Sequence, residues 1–290
     1  MAEEKNDRSR RDFVASATAG IVAATGSLSA APKIVEEDVE IKTPDGTCDA
    51  AFIHPASGSH PGVLIWTDAF GLRPSFREMA KRLAGEGYSV LVPNPFYRVA
   101  KAPAFTGDEV KSFNFQNPAQ RAKLGPLMGS INAAGSCEKD AEAYIAWLDK
   151  QKSVNKSKKI GTQGYCMGGP LVVKTSASVS DRVCAGGSFH GGGLVTNNPD
   201  SPHLLASKIK GRMYFGIASN DDKQQPDAKD KLKESFAAAH VPAEIELYSE
   251  SLHGWCVTDM PLQNGMPIYN KPDAERAWTK LLALYKQALA

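Results

Sequence analysis

The sequence has no CxxC pair and no paired Cys/His spacing, so a zinc site has no support. No Lys/Arg-rich block stands out in its body, and the formal net charge is only +2 over 290 residues. That removes the electrostatic case for a nucleic-acid partner. There is no internal repeat and no long low-complexity tract, which sets solenoids and arrays aside. What is present is an ordinary globular balance, 42% apolar and 23% charged. The length allows one large domain or two small ones.

The first 31 residues differ from the rest. A polar, basic head ends in "SRRDFV", and no charged residue then occurs from Phe13 to Ala31. Small residues "LSAA" close the stretch. Charged head, apolar middle and small-residue end are the layout of an export signal. The pair Arg10–Arg11, with Ser9 before it and Phe13 after, resembles a twin-arginine signal. The expectation is a signal over 1–31, cleaved after Ala30 or Ala31, with residues 32–290 as the folded domain. It implies the twin-arginine translocation machinery as a partner and the bacterial periplasm as the destination. A retained membrane anchor and a basic tail are the alternatives. Five cysteines, Cys48, Cys137, Cys166, Cys184 and Cys256, leave at least one thiol free whatever the pairing of the others.

From residue 35 onward strand-like and helix-like stretches alternate. "VEEDVEIKT" and "CDAAFIHP" flank "PDG" as a hairpin. "GVLIWTDA" and "YSVLVPN" are short apolar runs, as in buried strands. Between them Phe76, Met79, Ala80 and Leu83 fall on one helical face. Cys137, Ala141, Tyr144, Ile145 and Leu148 form a second helical stripe. "KKIGTQGY", "RVCAGGSF", "RMYFGIAS" and "AEIELYSE" continue the strands, and a last helix over 273–289 turns Trp278, Leu281, Leu282 and Tyr285 inward. Such alternation predicts an α/β fold, a mostly parallel sheet with helices on both faces. Segment 99–135 is long, polar and aperiodic, with Phe105, Phe113 and Phe115 scattered through it. It reads either as a lid or as a plain excursion.

In open α/β sheets functional groups gather at the carboxyl ends of the strands. "KKIGTQGY" runs into Cys166, in the G-x-nucleophile-x-G pattern Gly164-Tyr165-Cys166-Met167-Gly168. Glycines at both flanks let the chain bend sharply against its neighbours. The sulfur would then sit at a helix N-terminus, which favours thiolate. Such an elbow requires nucleophile, acid and histidine in that chain order. Adjacent acids Asp221 and Asp222 follow one late strand, and His253 follows the next. His190 also follows a strand but precedes the acids, so it reads as a pocket or loop residue. The roles are those of nucleophilic acyl transfer: Cys166 attacks, His253 moves the proton, and an acid orients His253. The Met167 N–H is one oxyanion donor, and the loop "TDAFG" is the source of the other.

These pieces resemble the dienelactone hydrolase family, from about residue 35 to the end. The carriers are "GYCMGG", "DAFGLRPSFREMAKRLAGEGYSVLVPNPFYR", an acid four residues before Pro226, and "HGW". The resemblance implies an α/β-hydrolase fold and a triad of Cys166, Asp222 and His253, with no cofactor. It implies Ala69 as the second oxyanion donor. Asp68 would stand beside the thiol where better-known members carry Glu, and Arg98 would hold a substrate carboxylate. The family's second arginine position holds Val257 here. The reaction expected is hydrolysis of a lactone or small ester, a small-molecule substrate. The rivals are a carboxylesterase, thioesterase or peptidase on the same scaffold, a non-catalytic binding protein, and a redox sensor pairing Cys166 with Cys184 or Cys256. Cys256, three residues past His253, is either near the pocket or a packing residue.

Overall fold

A computed structural model describes residues 32–289. The export signal expected over 1–31 lies outside the described residues.

Eight strands form one sheet in the order β1-β2-β4-β3-β5-β6-β7-β8. β1 (Ile34–Thr43) and β2 (Gly46–Pro55) are the expected hairpin, closed at Thr43↔Gly46. β2 runs antiparallel to β4 (Ser89–Pro93). From β4 through β3 (Gly62–Trp66), β5 (Ile160–Tyr165), β6 (Val183–Phe189), β7 (Arg212–Ala218) and β8 (Ala243–Tyr248) every pairing is parallel. β3, β4 and β5 are buried at every residue, which is why they read as continuous runs rather than alternations.

Helices α1 (Pro74–Gly85), α4 (Ser136–Leu148), α5 (Gly168–Ser178), α7 (Ala228–Ala238) and α8 (Lys271–Ala288) cover the sheet. Neighbouring glycines of β6 show how closely. A Cβ on Gly186 would meet Ser176 of α5, and one on Gly187 would meet Leu281 of α8. Successive residues of a strand point to opposite faces, so α5 and α8 lie on opposite sides. The stripe Cys137, Ala141, Tyr144, Ile145 and Leu148 is buried on α4 as expected.

Segment 99–135 contains two helices that its pattern did not announce, α2 (Gly107–Lys111) and α3 (Pro118–Asn132). α3 carries Pro126 inside it and buries only Leu124, Leu127 and Ile131. Asn117 caps its first turn, accepting from the Ala119 N–H at 3.0 Å. The five cysteines are all unpaired, with Cys48 and Cys137 buried in the core. Among the described residues no helix is long and apolar enough to cross a membrane.

Candidate active site

Cys166 sits one residue past the carboxyl end of β5, with φ of 52°. That is the left-handed region, disfavoured for any residue with a Cβ and held here by its surroundings. The flanking glycines are required on steric grounds. A Cβ on Gly164 would lie 2.2 Å from the Gly168 carbonyl oxygen, and one on Gly168 would lie 2.5 Å from that of Trp66. The turn is therefore compressed between β5, α5 and the end of β3. The Cys166 N–H is directed at both the Phe189 carbonyl and His190 Nδ1, each at 3.1 Å.

His253 lies in the loop after β8. Its backbone N–H donates to Asn220 Oδ1 at 2.8 Å, and its Nδ1 lies 2.8 Å from Asp221 Oδ2 and 3.0 Å from Oδ1. The acid partner of the histidine is thus Asp221, not the expected Asp222. Asp222 forms an ion pair with Lys229 at 2.6 Å instead. The two acids are on a short helix, α6 (Ser219–Gln224), that begins directly at the end of β7. Consecutive helical residues are rotated by about 100°. One carboxylate therefore turns toward the loop after β8 and its neighbour toward α7. Burial opposes a charged His253, but Cys166 and Asp221 outweigh it, and its pKa is pushed up to about 10.

His190 was expected in the pocket or a loop. It is fully buried between the elbow and the histidine loop. Its ring centroid is 4.9 Å from that of His253 at 62° and 5.1 Å from Trp255 at 69°. Since Nδ1 accepts from Cys166, the proton belongs on Nε2, which is buried without a partner among the described residues. Burial, and then the charge on His253, hold its pKa well below the usual histidine value. A neutral imidazole thus packs against one that is charged.

Asp68 begins the loop after β3. It accepts the Phe70 N–H on Oδ1 at 2.9 Å, and its carbonyl accepts the Gly71 N–H at 3.1 Å. This tight loop fixes the Ala69 peptide at the rim of the site. Among the described residues the N–H groups of Ala69 and Met167 donate to no side chain and to no backbone carbonyl outside the regular helices and strands. Asp68 itself is locked: both its oxygens receive Arg73, at 2.7 and 2.9 Å, and Arg73 also donates twice to Asp259, at 3.0 and 2.7 Å. Burial opposes the Arg73 charge, but the two carboxylates outweigh it and keep the guanidinium protonated. Asp68 does line the cavity, though as a member of this buried network.

Arg98 does not reach the site. Its guanidinium donates to both oxygens of Asp140 on α4 at 2.8 Å and to Asp45 in the hairpin turn at 2.8 Å. It joins the hairpin to α4 and lines no part of the cavity at Cys166. The expected carboxylate-binding role is corrected on that ground. Val257 is buried and, with Cys256, lines a separate cavity of about 180 Å³. Cys256 does not line the cavity at Cys166 and packs against the hydrophobic core. Cys184 stands near the amino end of β6, five residues before the Phe189 that pairs with Tyr165. At ~3.3 Å per residue that is ~16 Å along the strand, beyond disulfide reach of Cys166.

Cys166 and His253 open into one cavity of about 970 Å³. One wall is the loop from Lys111 to Gln116, so segment 99–135 contributes directly to the site. Among the described residues no group of three or more His, Cys, Asp or Glu is placed to hold a metal ion.

Comparison with known proteins places the chain in a family. The model of the dienelactone hydrolase family matches residues 48–289. A carboxymethylenebutenolidase of Rhodococcus opacus is 24% identical over 267 residues, covering 90% of this chain and 95% of the relative. A carboxymethylenebutenolidase of Pseudomonas putida is 24% identical over 227 residues, covering 78% and 88%. Among solved structures, a dienelactone hydrolase-like promiscuous phosphotriesterase from metagenomic libraries superposes with a TM-score of 0.69 at 20% identity. That match covers 89% of this chain and 99% of the other.

Proposed function

The chain belongs to the dienelactone hydrolase family and is a carboxylic ester hydrolase; from that premise we propose that it cleaves lactones or small esters through a Cys166–His253–Asp221 triad and an acyl-enzyme. The observation that carries this reading is convergence. A cysteine held at φ of 52° on an elbow faces the same cavity as a histidine whose Nδ1 is 2.8 Å from a carboxylate.

Asp221 keeps the His253 proton on Nδ1 and leaves Nε2 for the sulfur. His253, its pKa pushed up to about 10 by Cys166 and Asp221, takes the Cys166 proton. The thiolate adds to the acyl carbon, and the carbonyl electrons move onto oxygen. The N–H groups of Met167 and Ala69 receive that oxyanion in this reading. As the tetrahedral species collapses, the C–O bond breaks and His253 gives its proton to the leaving alkoxide. In a lactone the leaving oxygen stays attached to the acyl chain. Neutral His253 then removes a proton from water, whose oxygen attacks the thioester. The acid departs and the sulfur is returned.

The test is Cys166→Ala and Cys166→Ser on 4-nitrophenyl acetate and a lactone. We expect at least a ~10³-fold loss with an unchanged melting temperature. Wild-type turnover in the alanine variant would end this reading.

The N-terminal 31 residues support a further part of the proposal, export through the twin-arginine route to the periplasm. Arg10→Lys with Arg11→Lys should hold the unprocessed chain in the cytoplasm of a host with that pathway. Normal export of the double variant would point to another route.

A further inference from the structure

Exposed apolar side chains gather at the mouth of the Cys166 cavity. Among the described residues the exposed large hydrophobic side chains are Val99, Phe115, Leu204, Leu247, Leu252, Leu262 and Met266. Phe115, Leu252 and Leu262 all line this one cavity. Behind them stands an aromatic wall. The Phe113 ring is 5.1 Å from Phe70 and 4.8 Å from Phe115, both edge-on, and Phe70 meets Phe105 in the same manner at 5.4 Å. Phe113, Phe115 and Phe105 come from the segment that is not part of the sheet scaffold, whereas Phe70 follows β3. Solvent-facing apolar side chains gathered around a nucleophile mark a surface kept for an apolar ligand.

The charges at the cavity floor carry the second half of the argument. Asp68 is fully buried and lines the cavity, and its network sets two carboxylates against one guanidinium. The network behind the floor thus carries one net negative charge, with Asp68 and Arg73 buried and Asp259 part-exposed. Arg73 has both ends of its fork committed, and Arg98 is bound to Asp140 and Asp45 elsewhere. Besides His253, whose charge is matched by Asp221, the cation in the lining is Lys111, an exposed side chain at the rim, where its charge is screened by solvent. A substrate carboxylate entering this cavity loses water, meets negative charge and finds no buried guanidinium free to pair with it.

We propose that the site selects uncharged esters with an aromatic acyl group and disfavours esters that carry a carboxylate. The inference rests on the catalytic reading of Cys166 given above. The aromatic acyl group packs between Phe113, Phe115 and Leu262, and its carbonyl reaches the Ala69 and Met167 N–H groups.

The test compares 4-nitrophenyl phenylacetate with 4-nitrophenyl 4-carboxyphenylacetate, which differ by one remote charge. The full chain and its Cys166→Ala variant are assayed at low and high salt. We expect kcat/KM for the uncharged ester to be higher by about tenfold or more, with the gap narrowing as salt is added. Phe115→Ala should lower the ratio of phenylacetate to acetate turnover by about fivefold. Equal or faster cleavage of the carboxylated ester, with Cys166→Ala inactive, would overturn the selectivity alone. So would a preference for it that disappears in Lys111→Gln. Undiminished cleavage of both esters by Cys166→Ala would overturn the catalytic reading and the selectivity with it.

Discussion

Asp221 and Asp222 are chemically the same side chain, one bond apart in the chain, and they have separate fates. One is 2.8 Å from His253, and the other is 2.6 Å from Lys229. Asp221→Asn should lower kcat by about 10²–10⁴-fold, since it loses the group that holds the histidine tautomer and its charge. Asp222→Asn removes a part-exposed ion pair and should stay within about twofold of wild type. Steady-state kinetics of the two variants decide the matter, and the reverse ranking would return the acid role to Asp222. The pair could not be separated in the sequence, because the choice depends on how a six-residue helix is rotated at the end of β7. Arg98 was misplaced for a related reason. Its position in "NPFYR" was visible, but its partner Asp140 is on a helix beyond the intervening segment. Chain order set His190 apart from the catalytic histidine and in the pocket or a loop; what it did not show is that His190 packs directly against both Cys166 and His253.

The His253 pKa also has a consequence for stability at this scale. The folded value, about 10, lies above the ordinary value of about 6.5. The group therefore stabilises the fold fully below about pH 6.5, and that contribution is lost as pH rises through about 10. Denaturant titrations of wild type and His253→Gln should converge at high pH and diverge below it. A gap that stays constant from pH 6 to 10.5 would contradict the assignment.

At the scale of elements, the elbow and α3 respond to glycine in opposite ways. Gly164→Ala and Gly168→Ala drive a Cβ into carbonyl oxygens at 2.2 and 2.5 Å, where only backbone movement gives relief. Each should cost more than about 3 kcal/mol or prevent soluble expression. Gly129→Ala is inside α3 with no atom within 4 Å of the added carbon. It should stabilise the protein by about 0.5–1 kcal/mol. Thermal melts of the three variants check both signs. α3 itself was not legible because Gly125, Pro126 and Gly129 interrupt its pattern, and its helical form depends on a cap and on packing. α4 was legible because its apolar stripe is unbroken from Cys137 to Leu148.

At the scale of the molecule, the alternation of strands and helices was enough to expect a parallel sheet covered on both faces. The sheet order, with β4 between β2 and β3, was not available, because pairing partners are set by packing rather than by local pattern. The described residues 32–289 hold a hydrophobic core of their own, and the family match over residues 48–289 lies within them. A chain beginning at Pro32 should therefore fold and hydrolyse 4-nitrophenyl acetate at the full-length rate. A truncated chain that is insoluble would show that residues 1–31 take part in the fold.

The claim that Cys166 becomes acylated is open to direct observation. The protein is mixed with 4-nitrophenyl phenylacetate, quenched in acid within the first turnovers, digested and weighed by mass spectrometry. The account predicts a phenylacetyl group on the peptide that holds Cys166, absent from Cys166→Ala, and formed together with a burst of nitrophenolate. Full turnover without any acylated Cys166, or with the acyl group on another residue, would contradict it.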